Sequence, residues 1–122
     1  MKKVYFLFAV IFLISFSAFS LETNKYYKSI SWEEFLLNKE EFLNKDIEIK
    51  GYGKEISDEG FTLSERFESS NSIFVNMKII ERDLKQTIVN KYNGKMQISV
   101  KGNLEYDNIN DRYEIVADYL MY

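Results

Sequence analysis

An oxygen-rich run in the last third of the chain is the segment with the clearest potential for metal chemistry. Asp107, Asn108, Asn110 and Asp111 could offer carboxylate and amide oxygens to a calcium ion. Their spacing departs from that of the known calcium-binding loop, and the same residue types are typical of a hairpin turn. We therefore predict a turn at this segment and no metal site.

The residue types that are missing exclude much of enzyme chemistry. The chain has 122 residues and contains neither histidine nor cysteine. This composition excludes Ser-His and Cys-His nucleophilic catalysis, histidine general-base chemistry, disulfides and most zinc or copper sites. We predict no catalytic residue and no cofactor, and a fold whose stability comes from its apolar core.

The first 20 residues have the three regions of a secretory signal peptide. Two lysines precede an apolar run at positions 4–14, and a serine-rich segment that ends at Ser20 follows it. Ala18 and Ser20 stand at the positions that a signal peptidase reads if it cleaves before Leu21. The apolar stretch is shorter than the ~20 residues that a spanning helix needs. We therefore predict cleavage and a periplasmic or secreted domain with no membrane contact; an uncleaved membrane anchor is the alternative.

The charge of the chain argues against nucleic acid as a partner. The formal net charge is −3, and removal of Lys2 and Lys3 with the leader makes it more negative. Tight binding to a phosphate backbone needs several cations that face it. Because the exported domain is acidic and its basic runs are short, nucleic acid is disfavoured.

Residues 21–45 predict a lead-in with a short helix. Ser31 and Glu34 have the spacing of a capping box, in which each residue's side chain satisfies a backbone amide of the other. The helix that begins there has a predicted apolar face formed by Trp32, Phe35 and Leu36.

From residue 46 the period of the apolar residues changes to two, which is typical of half-buried strands. The alternation predicts five strands, at residues 46–53, 61–64, 73–78, 96–106 and 113–119, and it puts Tyr119 on the same face as Ala117. Glycines inside strands mark bends, and Gly102 interrupts the fourth strand. A helix at 82–92 separates the third strand from the fourth, with Asp83 and Gln86 at capping spacing and Gly94 as its C-terminal cap.

This order of elements predicts a mainly β domain over residues 46–122. Strong bends in two strands allow a five-stranded sheet to close on itself as a barrel. The helix between strands 3 and 4 would then cover one end of it.

Two segments carry a resemblance to a known family. Residues 44–51 (NKDIEIKG) and 94–102 (GKMQISVKG) both lead into alternating strands that end in Lys-Gly. In this pattern the chain resembles the bacterial exported OB-fold proteins, the group that includes the periplasmic bacterial OB-fold and anticodon-binding-like OB modules, over residues 31–122. The resemblance implies a five-stranded OB-type barrel, but OB barrels hold many different ligands and the fold does not supply the activity.

The resemblance also implies where a ligand would bind. The usual OB surface consists of strands two and three with the loops that join strands one to two and four to five. Its candidate ligand-binding residues in this chain are Tyr52, Lys54, Arg66, Phe74, Asn76 and Lys78. Phe74, beside Asn76 and Lys78, could stack a base or a sugar. Alternatively, Phe74 lies under the N-terminal helix and meets Trp32 or Phe35.

The sequence thus predicts an exported, non-enzymatic OB-fold binding module of the cell envelope, whose partner is an envelope protein, a peptide or a small polar ligand. One alternative is an oligonucleotide- or oligosaccharide-binding module. Another is a structural or interaction protein held at the membrane by an uncleaved N-terminal segment. A carboxylate-dependent secreted nuclease is disfavoured, because no paired aspartates fall near Arg66, Arg82 or Arg112.

Overall fold

The computed structural model describes residues 25–92 and 96–122. The predicted signal peptide and the predicted helix cap at Gly94 lie outside these residues. The elements in the described part of the chain are, in order, β1 (Lys28–Ser29), α1 (Trp32–Leu37), α2 (Lys39–Phe42), β2 (Asp46–Lys54), β3 (Gly60–Ser64), β4 (Ser72–Asn76), α3 (Arg82–Lys91), β5 (Met96–Asp107) and β6 (Arg112–Met121).

No helix among these elements is long and apolar enough to span a membrane.

Five strands pair in a ring. β2 is antiparallel to both β3 and β5, β3 is antiparallel to β4, β4 is parallel to β6, and β6 is antiparallel to β5. The short β1 extends the sheet to six strands by pairing with β2 in parallel. The five predicted strands and the helix between the third and fourth are therefore confirmed, as β2 to β6 and α3. β1 was not predicted, because two residues are too few to show an alternation.

The interior of the ring is filled by the alternating apolar side chains of its strands. The fully buried residues include Ile47, Ile49, Phe61, Leu63, Val75, Val100, Leu104 and Ile115. Burying one such side chain stabilises the fold by roughly 1.5–3 kcal/mol. Phe35 of α1 and Ile88 of α3 belong to the same buried cluster, so both helices pack on this core.

The first helix begins where the sequence predicts it. The Ser31 hydroxyl oxygen accepts from the Glu34 amide at 3.1 Å, and the Ser31 amide donates to the Glu34 carboxylate at 3.3 Å, which confirms the capping box. Trp32 and Phe35 are buried, and the Trp32 indole N–H donates to the Lys50 carbonyl at 2.7 Å. The prediction for Leu36 is wrong, because this side chain is 37% exposed.

The predicted cap of α3 is also wrong. The residue at the N-cap is Glu81, and its side chain makes no capping hydrogen bond. Asp83 instead lies in the first turn, where a negative charge is favoured by the helix dipole.

A β-bulge separates the two halves of the β5–β6 pair. Gly102 is opposite Ala117 but Lys101 is opposite Tyr119, so Asp118 is the extra residue on β6. The bulge reverses the alternation, since Ala117 and Leu120 are buried while Tyr119 is 51% exposed. The prediction that Tyr119 shares the face of Ala117 is therefore wrong, and a β-bulge lies at Gly102, where the sequence predicts a bend.

The extra residue anchors the N-terminal segment. The Tyr27 hydroxyl donates to Asp118 Oδ2 at 2.6 Å, and Lys25 Nζ lies 3.3 Å from both Asp118 Oδ2 and Asp46 Oδ1. Burial, with a further contribution from the Asp118 hydrogen bond, raises the pKa of the Tyr27 hydroxyl above its usual range. The contacts of Lys25 and Tyr27 with Asp46 and Asp118 thus join the segment before β1 to β2 and β6.

Because of the bulge, we expect the stability of the domain to depend strongly on the absence of a side chain at Gly102. A Cβ atom at this position would overlap the Val116 carbonyl oxygen and lie 2.9 Å from Ala117 Cα, so Gly102→Val should lower the free energy of unfolding by roughly 1–3 kcal/mol. Chemical denaturation followed by circular dichroism measures the change. Gln97→Val, at an exposed position of the same strand, is the control. Equal stability of the Gly102→Val variant and the unmodified protein would contradict the close approach.

Candidate ligand-binding groove

The six predicted site residues lie around β2, β3 and β4. Tyr52 and Lys54 are on β2, Arg66 is in the loop after β3, Phe74 and Asn76 are on β4, and Lys78 follows that strand. Lys54 pairs with Thr62 and Thr62 pairs with Phe74, so one row of side chains crosses the outer face of these three strands.

The structure nevertheless divides five of these six residues between two concavities. Tyr52 and Arg66 line a hollow of about 810 Å³ beside the 66–70 loop. Phe74, Asn76 and Lys78 line a different one of about 460 Å³. Lys54 lies 5.4 Å from the ring centre of Phe67 and lines neither hollow. The predicted residues therefore share a face of the sheet but do not form one site.

The second concavity is bounded by strands, turns and a helix, and we name it the Glu114 groove. The β2–β3 turn and the β5–β6 turn form its two ends, β4 and β6 form its floor, and α3 reaches it from one side. Its lining residues are Asp58, Glu59, Phe74, Asn76, Lys78, Lys85, Asp107, Asn110, Arg112 and Glu114.

Phe74 has a partner that neither sequence interpretation named. The guanidinium carbon of Arg112 lies 3.9 Å from the centre of the Phe74 ring, which is a close cation–π contact. Trp32 and Phe35 pack edge-to-face on each other, with ring centres 5.8 Å apart. Phe35 and Phe74 border one shallow hollow of about 320 Å³, and Arg112 lines both that hollow and the Glu114 groove. One face of the Phe74 ring is thus occupied by Arg112 rather than open for stacking.

The β5–β6 turn is fixed by its own hydrogen bonds. Asp107 accepts from the Ile109 amide at 2.9 Å and from the Asn110 side chain at 2.7 Å. The hydrogen bond from the Asn110 side chain is the main reason that the pKa of Asp107 is lowered, and backbone donors and the charge of Arg112 act in the same direction. The predicted turn is confirmed, and its residues Asp107 and Asn110 line the groove. Within residues 25–92 and 96–122, no group of three acidic side chains is arranged to hold a metal ion.

Glu114 is the most unusual side chain in the groove. It is only 7% exposed, and its Oε1 lies 3.5 Å from Asn76 Nδ2. The orientation of Asn76 is set by its other amide atom, because Asn76 Oδ1 accepts from the Lys78 amide at 2.8 Å. Glu114 Oε2 has no hydrogen-bond partner among the described residues.

The groove as a whole is slightly acidic. Its walls carry four carboxylates, from Asp58, Glu59, Asp107 and Glu114, and three cations, from Lys78, Lys85 and Arg112. None of these cations forms an ion pair with Glu114 in the part of the chain that the structure describes. The Glu114 side chain thus lines the same groove as three cations but forms no ion pair with them.

Sequence reasoning missed both Arg112 and Glu114. Both residues alternate with apolar ones at the start of the last strand. Polar residues in such an alternation face solvent in most antiparallel sheets. The parallel pairing of β4 with β6 places Phe74 opposite Glu114, and a contact across this distance in sequence leaves no local signal.

Comparison with known proteins supports the fold but not a family. No family model matches the chain, and no curated protein matches it. Among solved structures, the chain is similar to OBody AM1L10 bound to hen egg-white lysozyme, with a TM-score of 0.52, 13% identity, and coverage of 66% of this chain and 80% of that chain. A second OBody bound to the same lysozyme, AM3L09, matches with a TM-score of 0.50 and 12% identity over 66% of this chain and 82% of that chain.

A larger protein shows the same likeness. A protein assigned as an aspartyl-tRNA synthetase from Leishmania major Friedlin matches with a TM-score of 0.55 and 14% identity over 80% of this chain. The match spans 21% of the synthetase chain. At these identities the likeness shows the fold alone, and that fold is OB-like.

The burial of Glu114 predicts a stabilising substitution. Glu114→Gln removes a charge that is buried without a full set of partners, so the free energy of unfolding should rise by about 1 kcal/mol or more. Glu105 is directly opposite Glu114 on β5, so the two carboxylates repel each other. Glu105→Gln removes this repulsion as Glu114→Gln does, but at a side chain that is only partly buried. The difference between the two variants in urea denaturation therefore measures the burial cost. An equal change in both would show that Glu114 is adequately solvated.

Proposed function

We propose that this chain is an exported, non-enzymatic binding module of the cell envelope, built on a five-stranded OB-type barrel, and that it holds its ligand in the Glu114 groove. The observation that carries the proposal is the burial of Glu114, a lining residue of this groove that is only 7% exposed and whose Oε2 has no hydrogen-bond partner among the described residues. Buried polar atoms in native proteins are nearly always satisfied, so an exception on a residue that lines a concavity supports a functional role for that concavity.

The architecture of the groove supports the same proposal. A fixed turn and a fixed asparagine present polar groups that are already oriented, through the hydrogen bonds of Asp107 and Asn76. Sites that are organised before binding lose less free energy to ordering when the ligand arrives. The two OBodies are bound to lysozyme in their structures, so a domain of similar fold can hold a protein partner. A protein, a peptide or a small polar molecule is therefore the ligand class that we propose.

The other ligand classes receive less support from the groove. A nucleic-acid backbone would meet an excess of carboxylates and a buried negative charge. An oligosaccharide would need an open aromatic face, and Arg112 covers one face of Phe74. The absence of histidine and cysteine from the sequence supports a binding role rather than catalysis.

Export is proposed from the leader-like residues 1–20 and has its own test. Expression of the full chain in a bacterium should yield a product whose intact mass is that of a chain beginning at Leu21, because signal peptidase recognises Ala18 and Ser20. Mass spectrometry of the periplasmic and membrane fractions separates the possibilities. A product that retains Met1 in the membrane fraction would instead favour the uncleaved anchor.

The binding proposal is tested by nuclear magnetic resonance on the protein purified from the bacterium that expresses the full chain, after any removal of the leader. Four probes cover the ligand classes: a basic peptide, an acidic peptide, an oligosaccharide and a short oligothymidylate. At least one of the first three should shift the amide signals of Asn76, Asn110 and Glu114. Arg112→Ala should weaken that binding, while Arg66→Ala, the matched arginine of the other concavity, should leave it unchanged.

Two results would contradict the proposal. Shifts confined to Tyr52 and the 66–70 loop would place the binding site in the other concavity. Strong binding of the oligothymidylate alone would favour the nucleic-acid alternative.

A further inference from the structure

We infer that the shallow hollow between Phe35 and Phe74 is a second binding site, and that it takes one carboxylate group between Lys39 and Arg112. We name it the Lys39–Arg112 hollow. It is distinct from the site of the proposed function, although Phe74 and Arg112 line both. Its lining residues are Phe35, Lys39, Thr62, Ser72, Ile73, Phe74, Arg112 and Tyr113.

The charge of this hollow is opposite to that of the domain around it. The two charged residues among those that line it, Lys39 and Arg112, are both cations. The chain as a whole has a net charge of −3, and the neighbouring Glu114 groove contains four carboxylates. A local group of cations in a concave surface concentrates anions there. The hollow is therefore suited to a negatively charged group.

Both cations are accessible and are held in place by aromatic rings. Lys39 Nζ lies 5.6 Å from the ring centre of Phe35 and 5.7 Å from that of Tyr113, and the guanidinium carbon of Arg112 lies 3.9 Å from that of Phe74. Arg112 is exposed and Lys39 is half-buried, so a ligand can reach both from solvent. Because the rings restrict the positions of the two charges, less free energy is lost to ordering when a ligand binds.

The two cations also retain their capacity to bind an anion. Across residues 25–92 and 96–122, neither of them forms an ion pair with a carboxylate. Asp107 is opposite Arg112 in the β5–β6 register, but it accepts hydrogen bonds within its own turn and does not line the hollow. A guanidinium that lies over a ring keeps N–H donors at its edge, and their fork matches the two oxygens of a carboxylate.

The size and surroundings of the hollow favour one carboxylate over other anions. Its volume is about 320 Å³, at the lower end of the roughly 300–1,000 Å³ of ligand pockets, so it suits one acidic side chain or one small organic acid. A phosphate group carries up to about two negative charges at neutral pH, and the acidic domain repels it more strongly than a singly charged carboxylate. The rings of Phe74 and Tyr113 provide an apolar surface for the group that bears the carboxylate.

The experiment uses four probes: benzoate, its neutral isostere benzamide, the capped peptide Gly-Glu-Gly, and inorganic phosphate. Benzamide keeps the shape of benzoate and removes its charge, so the pair isolates the contribution of the anion. Each probe is titrated into the purified protein, and the dissociation constant is read from the amide signals of Lys39, Thr62 and Tyr113. These three residues line the Lys39–Arg112 hollow but not the Glu114 groove.

The expected result is binding of benzoate, of the glutamate peptide or of both, with a dissociation constant that rises about five-fold or more in Lys39→Gln. Lys85→Gln is the matched control, since it removes the same charge from a residue that lines the Glu114 groove and not this hollow, and it should leave the constant unchanged. Benzamide should bind much more weakly than benzoate. A response to the peptide alone identifies an acidic polypeptide as the source of the carboxylate, and a response to benzoate alone identifies a small acid.

Three results would overturn the assignment of this site. They are equal affinity of the carboxylate probes for the unmodified protein and for Lys39→Gln, equal affinity of benzoate and benzamide, and tighter binding of phosphate than of either carboxylate.

The two proposed sites succeed or fail separately. If the carboxylate probes leave Lys39, Thr62 and Tyr113 unshifted while another probe binds in the Glu114 groove, the carboxylate site is wrong and the proposed function stands. If the carboxylate probes shift these three signals while no probe shifts Asn76 or Glu114, the carboxylate site stands and the groove is not the binding site.

Discussion

The structure depends on the ability of one long strand to pair with two neighbours at once. β5 pairs with β2 from Met96 to Asn103 and with β6 over most of its length, and this double pairing closes the ring. A straight, regular strand cannot follow both neighbours around so small a circle, so the strand must bend. The bend occurs at Gly102, where the partner backbone comes so close that no side chain fits. Closure of the sheet is thus limited by a backbone contact.

The same bulge determines what the rest of the ring can do. It adds Asp118 to β6, and the carboxylate of this extra residue accepts from Tyr27 and attracts Lys25, which attaches the N-terminal segment. Closure also brings β4 beside β6 in parallel, with Phe74 opposite Glu114 and Asn76 opposite Val116. The groove is therefore a consequence of closure, since its floor exists only where these two strands meet.

The sequence predicts local elements well and their long-range consequences poorly. The capping box at Ser31, the five alternating strands and the helix after β4 follow from patterns within a few residues, and all are confirmed. The predictions for Leu36 and Tyr119 were wrong. The orientation of Tyr119 depends on the β6 bulge, for which the neighbouring residues give no signal, and nothing in the structure explains the exposure of Leu36. The resemblance implied a site on the correct strands but omitted Arg112 and Glu114. Both enter the groove through the β4–β6 pairing, and alternation reports which face a residue occupies but not whether that face is covered.

Glu114 is a buried residue that the stability of the core does not explain. Almost every other buried position on the strands is apolar, and the core accounts for the fold without this carboxylate. A residue that opposes the local rule without a compensating partner is best explained by a role that the isolated domain does not complete. The position of the groove has a structural explanation: the ring provides its floor, and the turns before β3 and before β6 provide its ends. A ligand held in the groove would stabilise the folded domain as it bound, because it would bind the native state and not the unfolded chain.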